Sequence, residues 1–335
     1  MKLLRILGFP MALIYGSVVR IRNYFYDTGL FKTNSFDTPT ICVGNLSLGG
    51  TGKTPMVEFL VSALSKSKKV AVLSKGYKRK STGFVLAGPD STVEELGDEP
   101  FQIFKKFPRM NVAVDSDRTN GIKRLQSELK PDLIILDDAF QHRKINPTFS
   151  ILLTSFDKLY SEDYFLPFGT LRDARSQARR ARVIVVSKSP QNMTDNERER
   201  IVSKLKPERH QKVLFASLEY NEILKGSNAD ITFELLSKND FTLVTGIANP
   251  SPLVAYLKRK GLKFEHLCFK DHHSFTSREM GNLNSKAFIL TTEKDYVRLQ
   301  GKVKNLAYIE IAHKFLNGGE QVLINELEGV TKLNF

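Results

Sequence analysis

Cysteine is scarce in this 335-residue chain: only Cys42 and Cys268 occur, so no disulfide framework holds it together. No zinc-ligand spacing is present, and two cysteines in apolar surroundings fit a reducing compartment. No uncharged run is long enough to span a bilayer. The longest at the amino terminus, 6–19, would reach roughly 21 Å as a helix against about 30 Å of hydrocarbon. No A-x-A-like cleavage site follows it, which disfavours a secretory signal. Internal repeats, heptads and low-complexity tracts are also missing. Excess acid is missing too: 50 Lys and Arg against 36 Asp and Glu leave a net charge of +14, which favours anionic partners. The 41% hydrophobic and 26% charged fractions exclude disorder and fibrous classes.

The basic-flanked apolar segment, with Lys2 and Arg5 before it and Arg20 and Arg22 after, reads as a helix in a membrane interface. Leu3, Leu4, Leu7, Phe9 and Leu13 would be immersed, and residues 1–25 form the membrane-associating unit. The competing reading is a helix buried on the protein's own core.

From residue 40 onward, short runs of Val, Ile and Leu alternate with helical stretches, the pattern of a mostly parallel sheet covered on both faces. Strands are expected at 40–43, 70–73, 112–114, 133–136, 150–153, 183–186 and 213–219, with helices at 55–65, 101–106, 119–128 and 196–205. A second α/β pattern has strands at 241–245, 264–269, 287–291 and 307–311 and a helix at 252–259. The predicted architecture is α/β of the P-loop NTPase type: a kinase-like domain over 1–215 and a smaller α/β domain over 216–335 that closes on it.

The sharpest signal runs from Thr40 to Thr54, a strand, a Gly-rich loop, Lys-Thr and a helix. It fits a Walker A loop except that Ser47 stands at the opening Gly. Gly49, Gly50, Thr51 and Gly52 would wrap backbone N–H groups around phosphate, Lys53 would reach the β/γ-phosphates, and the Thr54 hydroxyl would bind Mg²⁺. No guanine-reading N-K-x-D follows a late strand, so ATP is the expected nucleotide. Asp137 and Asp138, closing the apolar run 133–136, supply the Walker B carboxylates. Gln141, His142 and Arg143 crowd the same strand end, where open α/β sheets bind ligands.

Several ordered blocks resemble the tetraacyldisaccharide 4′-kinases, the lipid A 4′-kinases of Gram-negative bacteria. They are Val43-Gly44-Asn45-Leu46-Ser47 with the loop to Thr54, Gly76-Tyr77-Lys78-Arg79, Gly97-Asp98-Glu99-Pro100 and Asp137-Asp138-x-Phe140-Gln141-His142-Arg143. Leu166-Pro167, Gly169-x-Leu171-Arg172, Gly246-Ile247-Ala248-Asn249-Pro250, Asp271-His272-His273 and Thr292-Glu293-Lys294-Asp295 continue the match over nearly the full chain. The resemblance implies transfer of the ATP γ-phosphoryl group to the 4′-hydroxyl of an acylated glucosamine disaccharide 1-phosphate, giving lipid IVA. It places the protein peripherally on the cytoplasmic face of the inner membrane, against an anionic lipid surface.

It also implies Asp98 as the base, paired with His272; from the residues alone Glu99 or His273 could serve instead. Asp138, supported by Asp137 and Asp173, is assigned to Mg²⁺, and Lys75, Arg79, Gln141, His142, Arg143 and Arg172 to phosphate. Lys75 replaces the family's Arg, and Asp173-Ala174 its Glu-Pro; the shorter carboxylate puts a metal role for Asp173 in doubt. Arg175, Arg179, Arg180 and Arg182 read as a solvated or lipid-facing basic helix face. Two other readings compete: a P-loop NTPase that drives a partner protein, such as a metallochaperone, and a nucleic-acid-binding module. Neither C-x-x-C nor a recognition motif is present, so neither a protein partner nor nucleic acid is expected.

Overall fold

The computed structural model describes residues 8–226, 231–238 and 240–332. Leu3, Leu4 and Leu7 of the expected interface helix lie outside these. Among the described residues fifteen strands form two sheets: β1 Thr40–Asn45, β2 Val70–Ser74, β3 Val85–Leu86, β4 Asn111–Val114, β5 Leu133–Asp137, β6 Phe149–Ser155, β7 Val183–Ser187, β8 Lys212–Tyr220, β9 Ile223–Gly226, β10 Ile231–Thr232, β11 Phe241–Thr245, β12 Phe264–Cys268, β13 Ile289–Thr292, β14 Leu306–Ile309 and β15 Ile311–Phe315. The larger sheet has the order β15-β8-β7-β6-β1-β5-β2-β4-β3, and the smaller β10-β9-β14-β13-β11-β12.

From β8 across to β4 every neighbouring pair is parallel; β15 and β3 close the edges antiparallel. Helices cover both faces, which is why the central strands lack polar alternation. In β1, Ile41 and Val43 pack with Met56, Leu60 and Leu64 of the helix Lys53–Leu64, while Cys42 points to the opposite core with Phe140 and Ile122. Leu60 is fully buried, so Leu60→Ala removes packing worth about 2–5 kcal/mol.

The stretch expected as one strand over 307–311 is two. β14 belongs to the smaller sheet, and after Glu310 the chain enters the larger one as β15, paired with β8. Leu323 and Leu327 of the terminal helix Gly319–Lys332 then join the larger sheet's core. The chain thus crosses between sheets twice, once after β8 and once at Glu310. That second crossing is anchored by Lys106, whose Nζ reaches Glu58 at 2.8 Å, Glu293 at 3.0 Å and Glu310 at 3.1 Å.

The expected basic helix face of Arg175, Arg179, Arg180 and Arg182 is also different. Residues Arg175–Arg180 form a 3₁₀ segment, and its arginines are engaged by the protein itself. Arg180 lies half-buried over the Phe140 ring and donates to the Phe140 carbonyl, Arg175 donates to Asp163 O, and Arg179 and Arg182 pair with Asp27 and Glu326.

Candidate active site

The phosphate loop leaves the carboxyl end of β1 in mid-sheet, beside β5, with Val43 level with Asp137. Two of its glycines are required by conformation: Gly49 has φ +118° and Gly52 φ +82°, where side chains are strained. A Cβ on Gly49 or Gly50 would meet nothing within 4 Å, so that wall of the loop is open. Asn45 ties the loop together from beneath. Its Nδ2 donates to Thr51 Oγ1 at 2.9 Å, and its Oδ1 accepts from Lys53 Nζ at 3.2 Å. His313 of β15 caps the far side, its Nε2 2.8 Å from Gly52 O.

Across from Lys53 stand the two aspartates that end β5. Asp138 Oδ1 lies 3.7 Å from Lys53 Nζ, and the Arg172 guanidinium spans both Asp138 oxygens and Asn45 Oδ1. Burial acts to raise the Asp138 carboxyl, but Lys53 and Arg172 outweigh it and hold it at about 2. Asp137 has the reverse balance. Burial and the neighbouring Asp138 charge push it up to about 6, against a hydrogen bond from Ser74 Oγ at 2.9 Å. One adjacent carboxylate is neutralised by cations and the other is not, an arrangement that suits a divalent metal ion.

The Gly97-Asp98 block lies against the Gly76-Tyr77 block so closely that a Cβ on Gly97 would meet Tyr77 O at 2.9 Å. Asp98 opens the helix Asp98–Lys106 and faces residues of the second unit. His272 Nδ1 is 2.6 Å from Asp98 Oδ2, Arg298 grips the same carboxylate, and Tyr77 packs edge-on against the imidazole. Glu99, next to Asp98, pairs with Lys294 at 3.1 Å, and its charge adds to the raising of Asp137.

The alternatives left open by sequence separate here: His272 meets Asp98, whereas His273 pairs with Glu279 at 3.0 Å and stacks on Phe269. Gln141 donates to Asn45 O at 2.7 Å, joining the β5 turn to the phosphate loop. His142 is held down to about 4 by burial and by Arg118, with Lys144 and Lys75 adding to it, and its Nε2 has no partner.

Three expected site residues are employed elsewhere. Arg79 donates to Ser81 Oγ and the carbonyls of Val114 and Gly83, fixing its own turn rather than a phosphate. Arg143 turns to Gln177 at 2.7 Å and Asp27 at 2.8 Å. Asp173, assigned to the metal, is fully buried beneath the amino-terminal helix Phe9–Asp27 and accepts from Asn23 Nδ2 at 2.7 Å and Arg22 Nη2 at 3.4 Å. Both oxygens of this carboxylate are thus taken by Asn23, Arg22 and the Ala174 N–H rather than offered to a metal ion beside Asp138.

Sequence reasoning missed Arg118 and Arg298, and it placed Lys294 in a motif block without giving it a role. Arg118 is buried and donates to the carbonyls of Asp137 and Asp138, each at 3.0 Å. Its position just past β4, at the same carboxyl edge, was a usable signal. Arg298 carried none, because the helix Glu293–Leu299 was not expected.

The model of the family described as tetraacyldisaccharide-1-P 4′-kinase matches residues 4–330. A tetraacyldisaccharide 4′-kinase of Flavobacterium johnsoniae is 47% identical, covering 95% of this chain and 94% of its own. One from Phocaeicola vulgatus is 43% identical over 87% and 83%. Among solved structures, LpxK of Aquifex aeolicus in complex with ATP superimposes with a TM-score of 0.78 at 30% identity, covering 96% of this chain and 99% of that one. These likenesses run the length of both sheets and decide against the partner-driving NTPase. The chain belongs to the tetraacyldisaccharide 4′-kinase family.

Proposed function

We propose that this kinase transfers the γ-phosphoryl group of ATP to the 4′-hydroxyl of a tetraacylated glucosamine disaccharide 1-phosphate. What supports the reading is a phosphate loop whose Lys53 faces Asp138, together with an Asp98–His272 pair whose neighbour Glu99 acts electrostatically on Asp137. Backbone amides of 49–54 would receive the phosphates, and Lys53 and Arg172 supply two positive charges beside them. Thr54, Asp137 and Asp138 would hold Mg²⁺, which neutralises phosphate charge when bound. The acceptor hydroxyl gives its proton to the Asp98–His272 pair as its oxygen bonds the γ-phosphorus, and the bond to the β-phosphate oxygen breaks to leave ADP.

The amino-terminal helix supports delivery from a lipid surface. Ala12, Gly16, Val19 and Asn23 are buried against the protein, while Phe9, Met11, Leu13, Ile14, Val18 and Ile21 are exposed on the other side. Among the described residues no helix is long and apolar enough to cross a membrane. We place this helix in the interface of an anionic membrane, on the cytoplasmic face of the inner membrane. Tyr15 donates to Arg172 O at 3.0 Å, so the same helix braces the segment that carries Arg172. The unit built on the smaller sheet would close over the bound substrates by turning about the two crossings.

Incubation with radiolabelled ATP and detergent-dispersed disaccharide 1-phosphate tests the reading. Labelled lipid product is expected; none from protein that binds ATP would overturn it.

A further inference from the structure

Arg298, on the helix Glu293–Leu299 of the second unit, reaches both carboxylate oxygens of Asp98 and Nδ1 of His272. Its Nε donates to Asp98 Oδ1 at 2.6 Å and its Nη2 to Asp98 Oδ2. Nη1 donates to His273 O at 3.2 Å, and Nη2 lies 3.0 Å from His272 Nδ1. The Arg298 and Asp98 side chains are only 11% and 9% exposed, so this pairing is little screened by water. A two-point fork fixes the plane of a carboxylate, which a lysine contact cannot do.

That plane decides the imidazole. With Oδ2 an acceptor 2.6 Å from Nδ1, the proton of a neutral His272 sits on Nδ1, and the Nε2 lone pair accepts from Lys294 Nζ at 3.0 Å. His272 also adopts φ +57°, an uncommon backbone conformation for a side-chain-bearing residue, with its N–H held by Gly246 O. The groups facing Asp98 and His272 are Arg298, Lys294 and Asp295 from the helix Glu293–Leu299, Glu99 beside Asp98, Asp271 beside His272, and Tyr77. Burial acts to raise Asp98, and the His272 and Arg298 contacts reverse this and hold it at about 2.

We propose that Arg298 is a positioning residue of the phosphoryl transfer. It holds the Asp98 carboxylate in line with His272, and it ties that alignment to closure of the second unit, on which Arg298 itself rides. The inference rests on the reading that Asp98 and His272 receive the hydroxyl proton.

The test is the pH profile of kcat for the full-length kinase with disaccharide 1-phosphate in Arg298→Met, Arg298→Lys and Asp98→Asn variants. Arg298→Met is expected to lose about 100-fold or more in kcat, with KM for ATP unchanged. Its acid limb should move up by about one pH unit, because a cation that favours the ionised carboxylate is gone. Arg298→Lys should keep the acid limb in place and recover only part of kcat. Should Arg298→Met fail to fold, the lysine variant decides: reduced kcat with an unmoved limb supports the inference, and wild-type kcat overturns it. An Arg298→Met profile of unchanged shape, scaled only by the folded fraction, also overturns it. An active Asp98→Asn rejects the reading of the pair instead. An inactive Asp98→Asn beside a wild-type-like Arg298→Met rejects the role of Arg298 alone.

Discussion

His272 Nδ1 lies 2.6 Å from Asp98 Oδ2 although 174 positions separate the two residues in sequence. Asp98 belongs to the larger sheet's unit and His272 to the smaller one's, so the contact exists only while both units face each other. Lys106, eight residues along the same helix, bonds Glu293 at 3.0 Å, and this second bridge holds the facing arrangement from the other end. The geometry leads to four expected outcomes.

Replacing Asp98 by Ala removes half of the proton-accepting Asp98–His272 pair without touching the phosphate loop. Turnover should fall by about 10²–10⁴-fold, and nucleotide affinity should stay as in the wild type. Equilibrium binding of ATP beside steady-state kinetics checks both halves; equal loss of ATP binding would remove Asp98 from this role.

Lys53→Ala strikes the nucleotide itself. The side chain links Asn45 and Asp138, and it is the loop's own cation. Both ATP affinity and kcat should drop, the latter by about 100-fold or more. Unchanged ATP binding would show that the loop amides carry the phosphates without it.

Glu293 makes stability depend on pH. Burial and the nearby Glu58 charge push its carboxyl up to about 8, against the pull of Lys106. Between about pH 4.3, the unfolded value, and that folded value, the native state therefore holds a proton that the unfolded chain releases. This contribution is fully present below the unfolded value and is lost as pH rises toward 8. Glu293→Gln should flatten that slope in urea unfolding measured from pH 5 to 8. Lys106→Met, which removes the buried cation shared by Glu58, Glu293 and Glu310, should cost about 3–5 kcal/mol.

The exposed face of the amino-terminal helix should govern lipid binding. Ile14→Lys combined with Val18→Gln places polar groups at two exposed apolar positions while leaving Ala12, Gly16 and Val19 in their packing. Flotation with anionic vesicles should fall sharply, and ATP binding should remain. Undiminished flotation would move the membrane contact elsewhere.

The larger sheet was legible because its strands are local signals: buried parallel strands are short apolar runs, and Walker residues must be contiguous to wrap a phosphate. The capping boxes Thr194–Glu197 and Thr276–Glu279 are equally local; only the first lies on a helix that the periodicity had marked. The smaller sheet's unit was harder. Its helices Ser277–Asn284 and Glu293–Leu299 are short, and a single residue, Glu310, separates two strands of different sheets.

Composition, the Gly-rich loop and the ordered motif blocks determined by themselves that this is an α/β phosphate-binding kinase with an apolar, basic-flanked segment near the amino terminus. Tertiary structure alone decided which other polar side chains gather around Asp98 and the phosphate loop. Arg143 and Asp173 stand in motifs beside the phosphate loop yet bond toward the amino-terminal helix, whereas Arg298, in no recognised motif, reaches Asp98. The reason is physical. A motif fixes which groups are near in sequence, but a charge's function depends on which other charges share its low-dielectric space, and long-range packing sets that.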